Sequence, residues 1–274
     1  MEKFQLLAYL TLKGIGSASG IVHYDNTLYL ISDNSSYLYE YQILDNNLHK
    51  IALVENPQEN IAKKDKPDFE AITKKDNKLH VIGSGSTKNR NQTFSYHLEN
   101  KKIKEKDLGP LYQNIKTKFH ISDDDLNIEG ALYYGKELLL FQRGNGANAK
   151  NGIIKLGLEP DEIDFFPIQL PKIKHIETSF TDAILVDDKI YFLAAAEDTD
   201  STYNDGEVLG SIIGIIDLKT FQLEKSLQIT DKHKFEGLTL FQKNKEELTF
   251  LLCEDNDTED LNATIYKLIL NSVD

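Results

Sequence analysis

Acidic residues recur along this chain at nearly regular intervals, each directly in front of a small residue that opens an apolar run. The small residues are separated by 51, 59, 53 and 54 positions. The residues in front of them, one serine and four acids, are Ser19, Glu70, Glu129, Asp182 and Glu236. Carboxylates gathered in one place repel one another unless a cation, a basic ligand group or raised pKa values relieve them. Such oxygen-rich sets suit Ca²⁺ and, less often, Mg²⁺. The four acids are therefore candidate ligands of a metal ion.

A second set of polar residues ends the second apolar run of each copy. This set comprises Asp33, Asn34, Ser84, Gln142, Arg143, Glu197, Glu254 and Asp255. If the two runs of a copy pair as antiparallel strands, the start of the first and the end of the second meet at one end of the sheet. We therefore predict that the acids have ligand-binding neighbours, namely Asp33, Asn34, Ser84, Gln142 and Glu254.

Arginine is rare in this chain, with two among the 31 basic residues. Both, Arg90 and Arg143, follow the second apolar run of a copy. The planar guanidinium group can hold a carboxylate or a phosphate through two hydrogen bonds, which an ammonium group cannot do. We interpret Arg90, which stands between two asparagines, as an ordinary loop residue. We predict that Arg143 acts in catalysis together with Glu129 and Glu236.

The same acids allow a purely structural interpretation. A residue that recurs in every unit of a repeat protein can make the same backbone hydrogen bonds in each unit. A glutamate at the start of a strand would then accept hydrogen bonds from amides of the neighbouring unit. His233 lies three residues before Glu236 and is open to two interpretations as well, an acid or base beside the site or a surface residue.

The repeated copies predict the fold. They begin near residues 19, 69, 128, 181 and 235, and a fixed period of this length indicates a repeat architecture. Two-residue turns typical of β-hairpins join the first two strands in four copies, at Asp25-Asn26, Asp76-Asn77, Gly135-Lys136 and Asp187-Asp188. A third strand follows in every copy and a fourth in four of them. One fourth strand, residues 103–111, lies within a lysine-rich connector of residues 99–118.

The fifth copy ends after its third strand, and an apolar segment, residues 4–12, precedes the first copy. If that segment supplies the missing strand, the blades close into a ring and the exposed edge disappears. We therefore predict an all-β chain that forms a single domain over residues 1–274. Its fold is a five-bladed β-propeller of four-stranded blades, with the last blade closed by the N-terminal strand.

Composition restricts the function classes. The net charge of −13 argues against a nucleic-acid partner, which would need a basic patch. No apolar run approaches the roughly 20 residues of a membrane helix, so no membrane partner is expected. The single cysteine and the absence of a cleavage site near the N-terminus favour a cytoplasmic location. Two acidic loops, residues 197–207 and 254–260, do not match the EF-hand pattern and are interpreted as surface loops.

Three short segments resemble the strand starts of bacterial phytase-like β-propeller proteins, a group that includes proteins with esterase-like activity of phytase. The segments are DFEAIT (residues 68–73), NIEGAL (127–132) and KFEGLTLF (234–241). The shared motif is three residues long, while the repeat pattern extends over the whole chain. The resemblance implies a propeller with a calcium-lined acidic face and hydrolysis of phosphoesters. The chain departs from that pattern because it lacks a cluster of basic residues to grip a polyphosphate.

Two hypotheses of function follow. In the first, the chain binds a small anionic or polar molecule at the mouth of the propeller channel. A Ca²⁺ ion, or less often Mg²⁺, would there activate water or polarise a phosphoester or a lactone. In the second, the acids are structural and the loops hold a protein partner. Glutamine substitutions separate the two, because only the first hypothesis predicts a loss of metal affinity.

Overall fold

The strands of the chain form five four-stranded antiparallel sheets. The computed structural model describes residues 3–146, 148, 150–198, 206–254 and 261–271. After β1 (Phe4–Lys13), the first blade contains β2 (Ala18–Tyr24), β3 (Thr27–Ser32), β4 (Tyr37–Gln42) and β5 (Asn47–Ala52). The second blade contains β6 (Phe69–Lys75), β7 (Lys78–Gly83), β8 (Gln92–His97) and β9 (Ile103–Asp107). A single turn of 3₁₀-helix, Lys88–Arg90, precedes β8.

The remaining three blades follow the same order. After the helix α1 (Gly109–Phe119), the third contains β10 (Ile128–Tyr134), β11 (Glu137–Gln142), β12 (Gly152–Leu156) and β13 (Ile163–Pro167). A small ribbon of β14 (Lys172–Ile173) and β15 (Ile176–Glu177) precedes the fourth blade. That blade contains β16 (Ser179–Val186), β17 (Lys189–Asp198), β18 (Glu207–Asp217) and β19 (Leu223–Thr230). The fifth contains β20 (Phe235–Lys243), β21 (Glu247–Glu254) and β22 (Asn262–Asn271).

The N-terminal strand completes the fifth blade. β1 pairs with β22 in antiparallel register from Phe4 opposite Leu270 to Lys13 opposite Asn262. The two ends of the described chain are therefore held in one sheet, and the ring closes as the sequence predicts.

The first strand of each blade lines the centre of the ring. Each of these five strands, β2, β6, β10, β16 and β20, packs against the first strand of the next blade, and β20 packs against β2. Small residues are needed where the strands approach. A Cβ atom on Gly237 would lie 2.9 Å from the Cα atom of Gly20, and one on Gly130 would lie 3.1 Å from the backbone nitrogen of Ala183. Side chains larger than these would push neighbouring blades apart.

The predicted hairpin turns are confirmed by backbone conformation. The first turn residues Asp25, Asp76, Gly135 and Asp187 all have φ between 51° and 59°. This left-handed conformation is the one that two-residue hairpin turns require, and aspartate and glycine adopt it more readily than other residues.

The connector between the second and third blades departs from the prediction. The fourth strand of the second blade ends at Asp107, and α1 follows where the strand was expected to continue to residue 111. An Asp107 carboxylate oxygen accepts a hydrogen bond from the Gly109 amide at 2.7 Å, at the start of the helix. Tyr112 and Ile115 are buried against the second and third blades. Their spacing is helical, and the lysines that surround this short segment in the sequence concealed that signal.

The cores lie between neighbouring blades. Phe141 of the third blade meets Phe180 of the fourth edge-on, with ring centroids 5.2 Å apart. Cys253 is buried within β21, as its apolar surroundings predict. Within the described residues, no helix is long and apolar enough to cross a membrane.

Candidate functional site

Each first strand carries one extra residue near its start, and the pairing with the second strand shifts at that residue. These bulge residues, called the mouth ring here, are Ser19, Glu70, Glu129, Thr181 and Glu236. A β-bulge bends the strand and re-aims the side chain of the extra residue, which is why bulges are frequent beside binding sites. Since the first strands lie side by side, the ring surrounds one end of the central channel.

The fourth blade differs from the spacing-based prediction by one residue. Thr181 occupies the bulge, and Asp182 pairs with Leu193 at the position that the small residues hold elsewhere. The hydroxyls of Ser19 and Thr181 act alike, since they donate hydrogen bonds to the carbonyl oxygens of Phe69 and Phe235 in the following blades. The ring therefore contains three glutamates and two hydroxyl residues rather than four acids and a serine.

Asp182 joins two blades through its carboxylate. One oxygen accepts the amide of Ala183 at 2.7 Å and the other accepts the amide of Leu238 in β20, also at 2.7 Å. Burial raises the pKa of Asp182 well above its ordinary value, although both amide hydrogen bonds lower it. Asp182 therefore accepts a hydrogen bond from an amide of the neighbouring blade, as the structural interpretation of the repeated acids predicts.

Glu129 and Glu236 belong to a buried charge cluster, the Arg143 network, whose members are Glu129, Arg143, Glu197, Lys234 and Glu236. The Arg143 guanidinium group lies 3.1 Å from Glu129 and also contacts Glu197. The Lys234 ammonium group lies 2.9 Å from Glu197 and 2.8 Å from Glu236. Burial would raise the pKa of Glu197, but the charges of Arg143 and Lys234 lower it to about 2. The predicted catalytic residues are thus brought together, each with a counter-charge.

A second buried charge cluster, the Lys66 network, contains Asp33, Lys66, Asp68 and Arg90. Lys66 contacts Asp33 and lies 2.9 Å from Asp68, whose other oxygen lies 2.8 Å from Arg90. Arg90, interpreted from the sequence as an ordinary loop residue, is buried and ion-paired. The sequence held a signal for this network, because a lysine shortly precedes the strand-start glutamate in both KPDFE (66–70) and KFE (234–236).

Glu70 lies beside both networks, and its charge contributes to the raised pKa of Lys66. Its side chain is buried, with 8% of the residue exposed. Within the described residues, no hydrogen bond or ion pair engages its carboxyl group. Burial raises the pKa of Glu70 well above its ordinary value, and the charges of Glu129, Asp68 and Glu236 raise it further. A cation beside Glu70 would relieve this repulsion.

One group of carboxylates among the described residues meets the distance requirement for a shared metal ion. Oxygens of Asp33, Asp68 and Glu70 lie within 4.8 Å of one another. Glu70 is the member that this triad shares with the predicted ligands Glu70, Glu129, Asp182 and Glu236. One oxygen of Glu129 is engaged by Arg143, and both oxygens of Asp182 accept backbone amides.

The predicted ligand-binding residues all contact other groups of the protein, some through hydrogen bonds and some through ionisable side chains. Gln142 is buried, and it braces the backbone by donating to the Asp125 carbonyl at 2.6 Å and accepting the Asn127 amide at 3.0 Å. Ser84 donates to Asp68, and Asn34 accepts a hydrogen bond from the hydroxyl of Ser32 at 3.0 Å. Asp33 pairs with Lys66, and Glu254 contacts His233 and Tyr266. Asp255 and most residues of the two acidic loops, 199–205 and 255–260, lie outside the described part of the chain.

Glu254 contacts His233, for which the sequence allowed two interpretations, an acid or base beside the site or a surface residue. The Nδ1 atom of His233 lies 2.6 Å from one Glu254 oxygen, and the hydroxyl of Tyr266 donates to the other at 3.0 Å. The ring of His233 stacks on Phe235, with centroids 5.5 Å apart. His233 is therefore partly buried and fixed beside the mouth rather than free on the surface.

The described mouth carries more negative than positive charge. Six carboxylates, Asp33, Asp68, Glu70, Glu129, Glu197 and Glu236, face the four cationic side chains Lys66, Arg90, Arg143 and Lys234.

Comparisons with known proteins agree with the fold. The glutaminyl cyclase of Myxococcus xanthus superposes with a TM-score of 0.55 at 10% sequence identity, over 98% of this chain and 97% of that one. A luciferin-regenerating enzyme superposes with a TM-score of 0.51 at 12% identity, over 97% and 95% of the two chains. The sequence matches none of the curated proteins. A family described as a family of unknown function (DUF6929) matches residues 14–270.

Proposed function

Because the chain belongs to this family of unknown function, its function has to be inferred from the mouth itself, and we propose that the propeller binds a divalent cation and a small molecule there. The observation that carries the proposal is the group of Asp33, Asp68 and Glu70, whose oxygens lie within 4.8 Å of one another, with Glu70 buried among like charges. The cation of first choice is Ca²⁺, with Mg²⁺ second. Carboxylates, hydroxyls and carbonyls suit the variable coordination of calcium better than the strict octahedron of magnesium.

A second part of the proposal concerns the reaction that the cation would assist. A cation at Glu70 would polarise a phosphoester or lactone, or lower the pKa of a bound water molecule. Arg143, Glu129 and Glu236 would act beside it, with the guanidinium group holding a negatively charged part of the substrate. The resemblance of the strand starts to phytase-like propellers supports a hydrolase of this class. The two structural neighbours are enzymes by name, and their likeness to this chain extends to the fold.

Melting curves test the cation proposal across three proteins. The wild type and the Glu70→Gln and Glu129→Gln variants would be freed of metal and heated with and without CaCl₂ or MgCl₂. We expect calcium to raise the melting temperature of the wild type and to have no effect on Glu70→Gln. A calcium effect of equal size in the wild type and in Glu70→Gln would refute the proposal. Those proteins that bind calcium would then be assayed for hydrolysis of p-nitrophenyl phosphate and γ-butyrolactone.

A second candidate function, a scaffold that holds a protein partner, is favoured by a separate observation. Asp182, Ser19 and Thr181 connect neighbouring blades, and Glu129 and Glu236 are paired with internal cations. These side chains connect the blades of the ring without any ligand. The scaffold function predicts that glutamine variants lower the melting temperature and that neither metal changes it in any variant.

A further inference from the structure

A cavity, called the side cavity here, opens beside the third blade. Its volume is about 590 Å³, within the range of roughly 300–1,000 Å³ that small-molecule sites occupy. Gly144, which lines it, directly follows Arg143 in the chain. Thr178, also in the lining, precedes Ser179, whose hydroxyl accepts a hydrogen bond from Arg143 at 3.3 Å. The side cavity is therefore adjacent to the Arg143 network of the mouth.

Part of the lining is apolar. Phe119 at the end of α1 and Phe165 in β13 both line the side cavity, with ring centroids 5.7 Å apart, and both are half-buried. Ile168 and Leu170, also in the lining, are buried. An aromatic or aliphatic group of a ligand would be removed from water against these side chains.

Side-chain hydrogen bonds hold the walls in place. The amide group of Asn151 donates to the Ile168 carbonyl at 3.0 Å, and its oxygen accepts the amide of Phe180 at 3.0 Å. The hydroxyl of Thr178 donates to the Pro171 carbonyl at 2.8 Å. The connector between the third and fourth blades is thus fixed to β16, and a ligand would enter a preformed cavity without the cost of ordering its walls.

Lys150 brings a positive charge to the lining. Its ammonium group donates to the Phe119 carbonyl at 3.0 Å and also to the His120 carbonyl, both at the C-terminal end of α1. The carbonyl groups at the end of a helix together carry about half a negative charge, so these bonds leave part of the ammonium charge uncompensated. Within the described residues, no carboxylate lies within ion-pair distance of Lys150, whereas each cation of the mouth has such a partner.

Two acids in the surroundings of Lys150 have other partners. Glu177 lines the side cavity, and its carboxylate lies 3.4 Å from the Lys172 ammonium group. The carboxylate of Asp125 accepts hydrogen bonds from two other side chains. Burial would raise the pKa of Asp125, but these hydrogen bonds lower it, with a smaller contribution from the charge of Lys150. In the described part of the chain neither carboxylate contacts Lys150, so its charge is accessible to an anion.

We infer that the side cavity binds a small organic carboxylate, with the apolar body of the ligand against Phe119 and Phe165 and its carboxylate group at Lys150. The ammonium group is bonded to the carbonyl of Phe119 itself, so the charge and the rings are adjacent. A carboxylate matches the single charge of Lys150 better than a phosphate, which carries about −1.5 to −2 at neutral pH. The inference goes beyond the proposed function, because it assigns a ligand class to a cavity outside the mouth ring and needs no metal ion.

Calorimetric titration of the wild type with phenylbutyrate and with its neutral amide, phenylbutyramide, tests the inference. The two probes share one apolar body and differ in charge. We expect the carboxylate to bind at least about tenfold more tightly than the amide, because only the carboxylate forms a charge-assisted hydrogen bond with Lys150. Equal affinities for the two probes, or no binding of either, would overturn the inference.

Lys118 offers a matched control for substitution of Lys150. Its ammonium group also donates to backbone carbonyls, with Ile163 at 2.6 Å, but it lies outside the lining of the side cavity as the described residues define it. Lys150→Met should weaken the binding of phenylbutyrate at least about tenfold and leave that of the amide unchanged. Lys118→Met should bind both probes as the wild type does, and Lys150→Arg, which keeps the charge, should retain most of the affinity.

Two results with these variants would overturn the inference. An equal loss in Lys118→Met and Lys150→Met would show that the net charge of the protein, rather than the position of Lys150, attracts the probe. An equal loss in Lys150→Arg and Lys150→Met would show that the positive charge does not hold the carboxylate. Melting curves of each variant would confirm that the protein titrated is folded.

Calcium separates this inference from the proposed function. We expect phenylbutyrate to bind equally to metal-free protein and to protein in CaCl₂, and binding in CaCl₂ alone would overturn the inference. If the protein binds phenylbutyrate through Lys150 and does not bind calcium, the side cavity stands and the proposed cation site falls. If it binds calcium and neither probe, the cation site stands and the side cavity falls.

Discussion

The buried acids of the mouth are stabilised in different ways, residue by residue. Glu129, Glu197 and Glu236 have cationic partners, and Asp182 has two backbone amides. Glu70 makes no hydrogen bond or ion pair among the described residues, although its charge interacts with that of Lys66. A buried carboxyl group without a partner costs folding free energy when it ionises, so its retention needs a reason. A ligand that carries positive charge supplies one.

Glu70→Gln should stabilise the metal-free protein above neutral pH. The folded-state pKa of Glu70 is raised above its unfolded value, so the folded state loses stability as pH rises past about 4.3. Glutamine removes that loss, and the gain at pH 8 should be about 1 kcal/mol or more. Urea unfolding at pH 8 and pH 4 would measure it. The gain should vanish at pH 4, and a variant less stable than the wild type at pH 8 would contradict the prediction.

Arg143→Met should lower the stability of the folded protein. It leaves Glu129 and Glu197 buried with less positive charge, and breaking a buried ion pair costs about 3–5 kcal/mol. The pKa of Glu197 is lowered to about 2 in the folded state, so the stability that its ionisation adds is present above pH 4.5 and is lost as pH falls toward 2. The difference between wild type and variant should therefore shrink over this range in urea unfolding. A difference that does not change with pH would show that the charge pairing is unimportant.

At the scale of elements, the strands and hairpins could be predicted from the sequence, whereas the register near the bulges could not. Apolar alternation and turn residues such as Asp76-Asn77 act locally, and the structure confirms them. A bulge adds one residue without changing composition, so no feature of the sequence favours Thr181 over Asp182 as the ring member. The lysine partners were missed for a related reason, since Lys66 and Lys234 reach the mouth from loops whose path depends on tertiary packing.

Gly237→Ala should disrupt the contact between the fifth and first blades. The added methyl group would clash with the sulfur of Cys253 in the same blade and would lie 2.9 Å from the Cα atom of Gly20, and a backbone neighbour cannot move aside as a side chain can. We expect a loss of about 2–3 kcal/mol in urea unfolding. Gly16→Ala is the control, because its nearest neighbour is a leucine side-chain atom at 3.3 Å. Equal losses in the two variants would mean that close packing of the first strands does not limit stability.

At the scale of the whole molecule, closure of the ring positions the mouth. The Arg143 network connects side chains from the third, fourth and fifth blades, and the Lys66 network lies between the first and second. Neither network can form unless the blades hold their places around the channel. Five repeats and a spare N-terminal strand were sufficient to predict this architecture, because both are visible as pattern alone.

Removal of residues 1–13 should open the ring. β22 would lose its partner β1 along the whole strand, and an unpaired edge invites aggregation. We expect the truncated chain to aggregate or to melt more than about 10 °C below the wild type, since several kcal/mol of packing is lost. Light scattering and circular dichroism would follow both outcomes. A truncated chain that stays monomeric and melts with the wild type would contradict closure by β1.

Calorimetric titration of metal-free protein with CaCl₂ would show whether the mouth binds a divalent cation through Glu70. We expect saturable binding of one calcium ion to the wild type and none to Glu70→Gln, which should remain folded. If the wild type does not bind calcium, or if Glu70→Gln binds it unchanged, the mouth is not a cation site of this kind and its acids have a structural role.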